Sequence, residues 1–358
     1  MLVSVAGPIA PVPARRAERS AAARTRPRHD HYPEDVGTVS GSFPAQRSAR
    51  DFDVAARLAK GTATLMFMLI VVGSIVRTTG SGLSCPDWPL CQGRLLPPFQ
   101  FNVLVEWFHR LIALVVGLGL LATTAWTVTH RDTRARLGGL AALSIALYIT
   151  QALLGALTVW KLLDPNVVSG HLAMALLLFA TLLTLGLVAR HEARTLTRPD
   201  FTTRARPAGL LPLFGLATAA IWVQAVLGGM VSTNHASLVC PDWPLCNGDW
   251  WPPMTGLIAL QVAHRMGAYL LVAVLAIVLW RSRGATDAPV RGVGTVLFTL
   301  VLVQVVFGVA NVLLKIPIWL SALHLANAAC MLSLSLLGTF RLSMQPAPEP
   351  AFSRMVAR

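Results

Sequence analysis

Long apolar runs alternate with short polar segments along this chain. Eight of the runs are each near the roughly 20 residues that a 30 Å hydrocarbon layer demands. They fall at about 61–78, 103–127, 137–160, 167–189, 209–231, 257–280, 292–314 and 318–340. Leu, Ala, Val and Gly fill them, and no alternation of period two runs through them, which predicts helices and not the strands of a barrel. The expected fold class is an all-α polytopic membrane protein with eight transmembrane helices.

Composition agrees with this pattern. Of 358 residues, 54% are hydrophobic and only 13% charged, about half the charge of a typical soluble domain at about 25%. A soluble enzyme is excluded on that ground. The net charge of +14 suggests a nucleic-acid partner until its placement is examined. The basic residues sit in short segments between apolar runs, so the partner is the lipid bilayer and nucleic acid is not expected. Of 30 Lys and Arg, 24 fall in the N-terminal tail, the even-numbered connections and the C-terminal tail, whereas Arg77, Arg94, Lys161 and Lys315 occupy the other side. By the positive-inside bias both termini are expected in the cytoplasm of a plasma-membrane protein. Residues 1–60, rich in Arg, Ala and Pro, read as a disordered cytoplasmic tail drawn weakly to the anionic inner leaflet. Their opening stretch has no charged start and is broken by prolines, so a cleaved signal peptide is not expected. Residues 342–358 read as a second cytoplasmic tail.

The chain also repeats itself. Residues 72–98 and 227–253 align at a constant offset of 155 and share CPDWPLC without a change. The register continues through Glu106-Trp-Phe-His-Arg110 against Gln261-Val-Ala-His-Arg265. Gln151-x3-Gly155 then matches Gln304-x3-Gly308, and His171 matches His324, at offset 153. Each half, 61–190 and 209–341, is therefore expected to be a four-helix bundle. A pseudo-two-fold axis along the membrane normal is expected to relate them, as for parallel repeats of an even number of spans.

The candidate chemistry gathers at the outer ends of the spans. Cys85 and Cys91 share one outer loop, Cys240 and Cys246 another, and the spacing allows a structural disulfide, a redox-active pair or a metal site. His109, His171, His264 and His324 lie inside spans, where polar groups are costly and point to function. His109 is about six residues in, about 9 Å at 1.5 Å per residue, and the other three enter to similar depth. Two histidines on different helices at one depth can ligate a heme iron from opposite faces, which predicts one heme site per half. Interhelix polar contacts are the plainer alternative. Glu106 lies one turn before His109, whereas Gln261 holds the equivalent place in the second half, so only the first half keeps an ionisable group there. Arg110 and Arg265 follow the histidines, at a depth that suits heme propionates or snorkelling to the headgroups. His29, His31, His130, His191 and His235 read as tail, span-end or loop residues, and Cys330 as a small apolar residue of the last span. No glycine-rich turn suggests a nicotinamide or flavin site.

These residues together resemble the heme A synthase family. The resemblance covers about residues 60–341 and rests on E-x-x-H-R in the first half, H-R in the second, the four histidines and the paired outer cysteines. It implies oxidation of the C8 methyl of heme O to a formyl group by two successive oxidations, with water-derived oxygen and loss of water from a gem-diol. It implies His109 and His171 as iron ligands for the heme O substrate, His264 and His324 for a resident heme b, and Glu106 as the catalytic carboxylate. Arg110 and Arg265 join the heme-binding set, and disulfides Cys85–Cys91 and Cys240–Cys246 complete it. Electrons would pass through heme b to an acceptor the sequence does not name. Pathway logic alone points to the protoheme farnesyltransferase that makes heme O as a partner. Two other classes compete: a diheme b-type electron carrier, which leaves the Glu106/Gln261 difference unexplained, and a quinone-linked thiol oxidoreductase, which leaves the histidines unexplained.

Overall fold

The computed structural model describes residues 42–197 and 205–348. Eight helices make up almost all of it: α1 (Ser42–Thr78), α2 (Phe101–Thr129), α3 (Arg131–Trp160), α4 (Pro165–Thr197), α5 (Leu210–Thr233), α6 (Gly256–Ser282), α7 (Ala288–Leu313) and α8 (Ile318–Ser343). All eight are long and apolar enough to cross a membrane, and among the described residues there is no strand. The chain is a multi-pass membrane protein. Its outer surface is apolar as that requires. Along α2, Leu114 and Leu118 are 57% and 58% exposed while Val116 and Leu120 on the opposite face are fully buried.

From α2 onward, helices adjacent in the chain pack together. In the second half α5 packs on α6 and α8, and α7 closes the ring against both. In the first half α2 packs on α3 and α3 on α4. There α1 closes the ring through the hydroxyls of Thr62 and Thr123, 3.4 Å apart, and through Gly186, where a Cβ would lie 3.5 Å from that of Ala59. The halves join where α4 packs on α5 and α8, with Trp222 Nε1 donating to the Ala173 carbonyl at 3.2 Å. Met66, Leu120, Leu176, Phe214, Leu275 and Met331 belong to one apolar core that runs through both halves.

The N-terminal boundary corrects the sequence reading. Residues 42–60, assigned above to a disordered tail, form the first five turns of α1. Phe52, Ala55, Ala56 and Ala59 are buried against Leu137 and Ala141 of α3 and Leu185, Ala189 and Ala193 of α4. The segment is too polar for a span, yet its apolar residues recur at i, i+3, i+4 and i+7, one helical face. Trp126 Nε1 donates to the Asp51 carbonyl at 3.0 Å and ties this end of α1 to α2. Residues 1–41 of the expected tail lie outside the described residues. At several other ends the helices overhang their apolar windows; α4 continues to Thr197.

At the end of the bundle where α1, α3, α5 and α7 finish, the connections differ in length. Loops 79–100 and 234–255 are long, and 161–164 and 314–317 are tight turns. In the tight turns Leu162 and Leu163, and their counterparts Lys315 and Ile316, all take positive φ between 50° and 62°, a conformation that side chains seldom adopt.

Candidate functional site

The two long loops build the rim of the site. In each, the CPDWPLC segment closes on itself through a disulfide, Cys85–Cys91 with Cα atoms 4.6 Å apart and Cys240–Cys246 at 4.5 Å. Asp87 accepts hydrogen bonds from the backbone N–H of Gln92 and, at 2.7 Å, of Gly93. Asp242 accepts from Asn247 and Gly248 at 2.7 Å each. Gln92, Gly93, Asn247 and Gly248 all have positive φ, the backbone shape that turns their N–H groups inward. These bonds, led by the one from the glycine, hold both aspartate carboxyls below the usual carboxylate range. The sequence reading left both aspartates without a role.

The two arginines also differ from expectation. Arg110 donates to the carbonyls of Asp87, Leu90 and Cys85. Arg265 donates to those of Leu245, Cys240 and Asp242, at 2.7, 2.7 and 3.0 Å. Each guanidinium grips the loop above its helix, where the sequence suggested a propionate or the headgroups.

Glu106 joins that grip. Only 4% exposed, it accepts from Arg110 Nη2 at 2.6 Å and from the backbone N–H of Cys85 at 2.8 Å. Gln261 is equally buried, but its amide reaches only the Ser237 carbonyl at 3.3 Å and its Oε1 has no partner. The two halves thus share a loop, a disulfide and an arginine clamp, and differ in the charge beneath it.

The four histidines occupy matched places. His109 and His264 are each the ninth residue of their helix, His171 and His324 each the seventh. Every imidazole faces a glycine of the preceding helix. A Cβ would stand 3.2 Å from Cε1 of His109 at Gly73, 3.2 Å from that of His171 at Gly155, 2.8 Å from that of His264 at Gly228 and 3.3 Å from that of His324 at Gly308. The sequence showed Gly155 and Gly308 only as marks of the repeat, because a contact between two helices leaves no spacing signal in the chain. Nδ1 of His109, His171 and His324 is buried without a partner, whereas Nδ1 of His264 lies 3.0 Å from the Gln224 amide nitrogen.

All four histidines, with Glu106, line a single cavity of about 900 Å³ between the halves. That is within the range of about 300–1,000 Å³ usual for cofactor-sized ligands. The sequence leads to an expectation of one site per half; both histidine pairs border the same space. Among the described residues no three His, Cys, Asp or Glu side chains converge as for a bare metal ion. Paired imidazoles, three of them with an unpartnered Nδ1 and each facing a glycine that leaves room for the ring, fit a planar iron macrocycle ligated from two sides. His235, outside this set, is exposed in the second loop, with φ of 56° where its counterpart Gly80 has 69°.

Comparison with known proteins agrees. The family model described as "Cytochrome oxidase assembly protein" matches residues 56–336. The heme A synthase of Symbiobacterium thermophilum is 32% identical over 227 residues, 62% of this chain and 74% of that one. The heme A synthase of Methylobacterium radiotolerans is 32% identical over 324 residues, 76% and 86% of the two chains, and that of Shewanella oneidensis 29% identical over 313 residues, 75% and 91%. The matched segment runs from within α1 almost to the end of α8 and takes in every histidine, carboxylate and disulfide of the cavity and its rim, so the chain belongs to the heme A synthase family of cytochrome oxidase assembly proteins.

Proposed function

We propose that this protein is a heme A synthase, a membrane oxidoreductase that converts the C8 methyl of its substrate heme O to a formyl group. The observation that carries this reading is the buried Glu106 in a half that otherwise copies its neighbour, beside a histidine pair that opens on the shared cavity. Methyl to formyl with oxygen from water consumes one water and releases four electrons and four protons. In the first half His109 and His171 hold the substrate iron. In the second, His264 and His324 would hold a heme b, which would supply one-electron transfer to an external acceptor.

The protein's own groups do the rest. Glu106, oriented by Arg110 and the Cys85 N–H, sets a fixed negative charge in the cavity wall. There it stabilises positive charge that develops at the methyl carbon, or takes a proton from it. Arg110 and Arg265 act as positioning residues: they hold each disulfide loop over its histidine. The basic residues on the even-numbered connections put both termini in the cytoplasm, and the disulfide loops on the outer side of the plasma membrane, where thiols stay oxidised.

Pigment extracted from the purified protein tests the reading. Heme O or heme A beside heme b is the expected result. Heme b alone would overturn it in favour of a diheme electron carrier, and a colourless protein would overturn both.

A further inference from the structure

Arg77 is the last-turn cation of α1, and nothing above uses it. It lies four residues after Gly73, the glycine that faces His109, so the two share one face of the helix, a single turn apart. That turn is about 5.4 Å, and Arg77, like Gly73 and His109, lines the cavity. The guanidinium has five donors. One reaches across to the second half, to the Ser232 carbonyl in the last turn of α5. Its Nε is buried and has no partner. Among the described residues no carboxylate lies within ion-pair distance of it.

Charge across the cavity points the same way. The lining includes Arg77, Arg94, Arg110 and Arg265 but one carboxylate, Glu106, and Arg110 already neutralises it. A guanidinium in an apolar wall, short of acceptors and of a counter-charge, attracts an anion, and its planar fork suits a carboxylate best. The repeat adds direction: at offset 155 the counterpart of Arg77 is Ser232 itself. Only the half that carries Glu106 has a cation at this position of its first helix.

We propose that Arg77 is the recognition site for a carboxylate of the first-half ligand, which on the reading above is a propionate of heme O. The Ser232 contact alone would make it a C-terminal cap of α5, and a cap needs neither a cavity nor an unpartnered nitrogen. The two roles are separable by experiment. Purified protein with its resident heme is titrated with heme O and with heme O dimethyl ester, which has no carboxylate charge to pair with a guanidinium. Wild type is expected to bind the ester about tenfold or more weakly, as for loss of a charge-assisted bond. Arg77→Gln is expected to bind both alike, at the weaker affinity, and to keep the resident heme spectrum. Equal binding of acid and ester by wild type overturns the inference, even where the variant does not fold. So does an Arg77→Gln protein that loses thermal stability yet still prefers the acid. Wild type that binds neither form overturns the proposed function, and with it this assignment.

Discussion

A carboxylate held by a guanidinium on one oxygen and a backbone N–H on the other is fixed in direction as well as charged, and Glu106 is held so. Glu106→Gln keeps one acceptor oxygen but turns an amide N–H2 towards Arg110 or the Cys85 N–H. A cost of about 1–3 kcal/mol to the clamp follows from one such unmet donor. Heme loading is expected to survive, because neither pair of histidines is touched. Heme A formed per bound heme is expected to fall on the order of 10²–10³-fold, the usual loss when one electrostatic contribution to a transition state is removed. Near-normal conversion would show that Glu106 serves only the loop. Gln261→Glu gives Arg265 a partner at i+4 and is expected to firm the second loop without adding turnover. The glycines allow a second test at this scale. Alanine at Gly228 puts a methyl 2.8 Å from His264 Cε1, closer than real contacts allow, so the imidazole must shift. Gly228→Ala is expected to weaken or strip the resident heme. Gly61→Ala, with nothing within 4 Å of its Cβ, is the control and should leave the spectrum unchanged.

The helices show what a sequence can and cannot reveal about elements. Hydropathy marks a span where an apolar stretch is long, so the spans of α2 to α8 were legible, most ends to within a few residues, but not the polar extensions at the start of α3 and the end of α4. The start of α1 was not, because residues 42–60 pack on one face only and a hydropathy window averages that stripe with its polar neighbours. Phe52, 4% exposed, anchors the stripe. Phe52→Ala is expected to cost about 3–5 kcal/mol, as for other buried aromatics, seen as a lower unfolding temperature with an unchanged heme spectrum. The loops were legible as cysteine pairs but not as clamps, since Arg110 meets loop carbonyls 20 to 25 residues away, and backbone acceptors leave no trace in residue identity. Asp87 gives this element a pH dependence. The Gly93 N–H holds its carboxyl below its ordinary value of 3.8. Its stabilisation of the turn is therefore complete above that value, and it disappears as pH falls through the lower folded one. Reduction of the Cys85–Cys91 disulfide by a phosphine is expected to quicken over that acidic window in wild type. Asp87→Asn is expected to be reduced faster throughout and to lack the step.

At the scale of the whole molecule the repeat, with its offsets of 155 and 153, is legible in the sequence, whereas the cavity lined from both repeats is not. A cavity between bundles depends on how α4 meets α5 and α8, and the residues there, such as Gly229 against Leu172, carry no signature beyond small and apolar. The shared space raises the question of whether the two proposed heme sites stay separate. The histidines answer in pairs. His264→Ala or His324→Ala removes an iron ligand from the second half, and is expected to abolish the tightly bound low-spin heme b while added heme O still binds through His109 and His171. Heme A is expected to be absent, because electrons then have no exit. His109→Ala or His171→Ala should do the reverse: the resident spectrum stays and the heme O titration is lost. An unchanged low-spin spectrum after His264→Ala would remove that residue from the ligand set. Loss of both hemes from every single variant would mean that the cavity works as one undivided site. In that case the matched glycines beneath the four imidazoles would serve a common macrocycle stack, and the Glu106/Gln261 difference would set which end of it reacts.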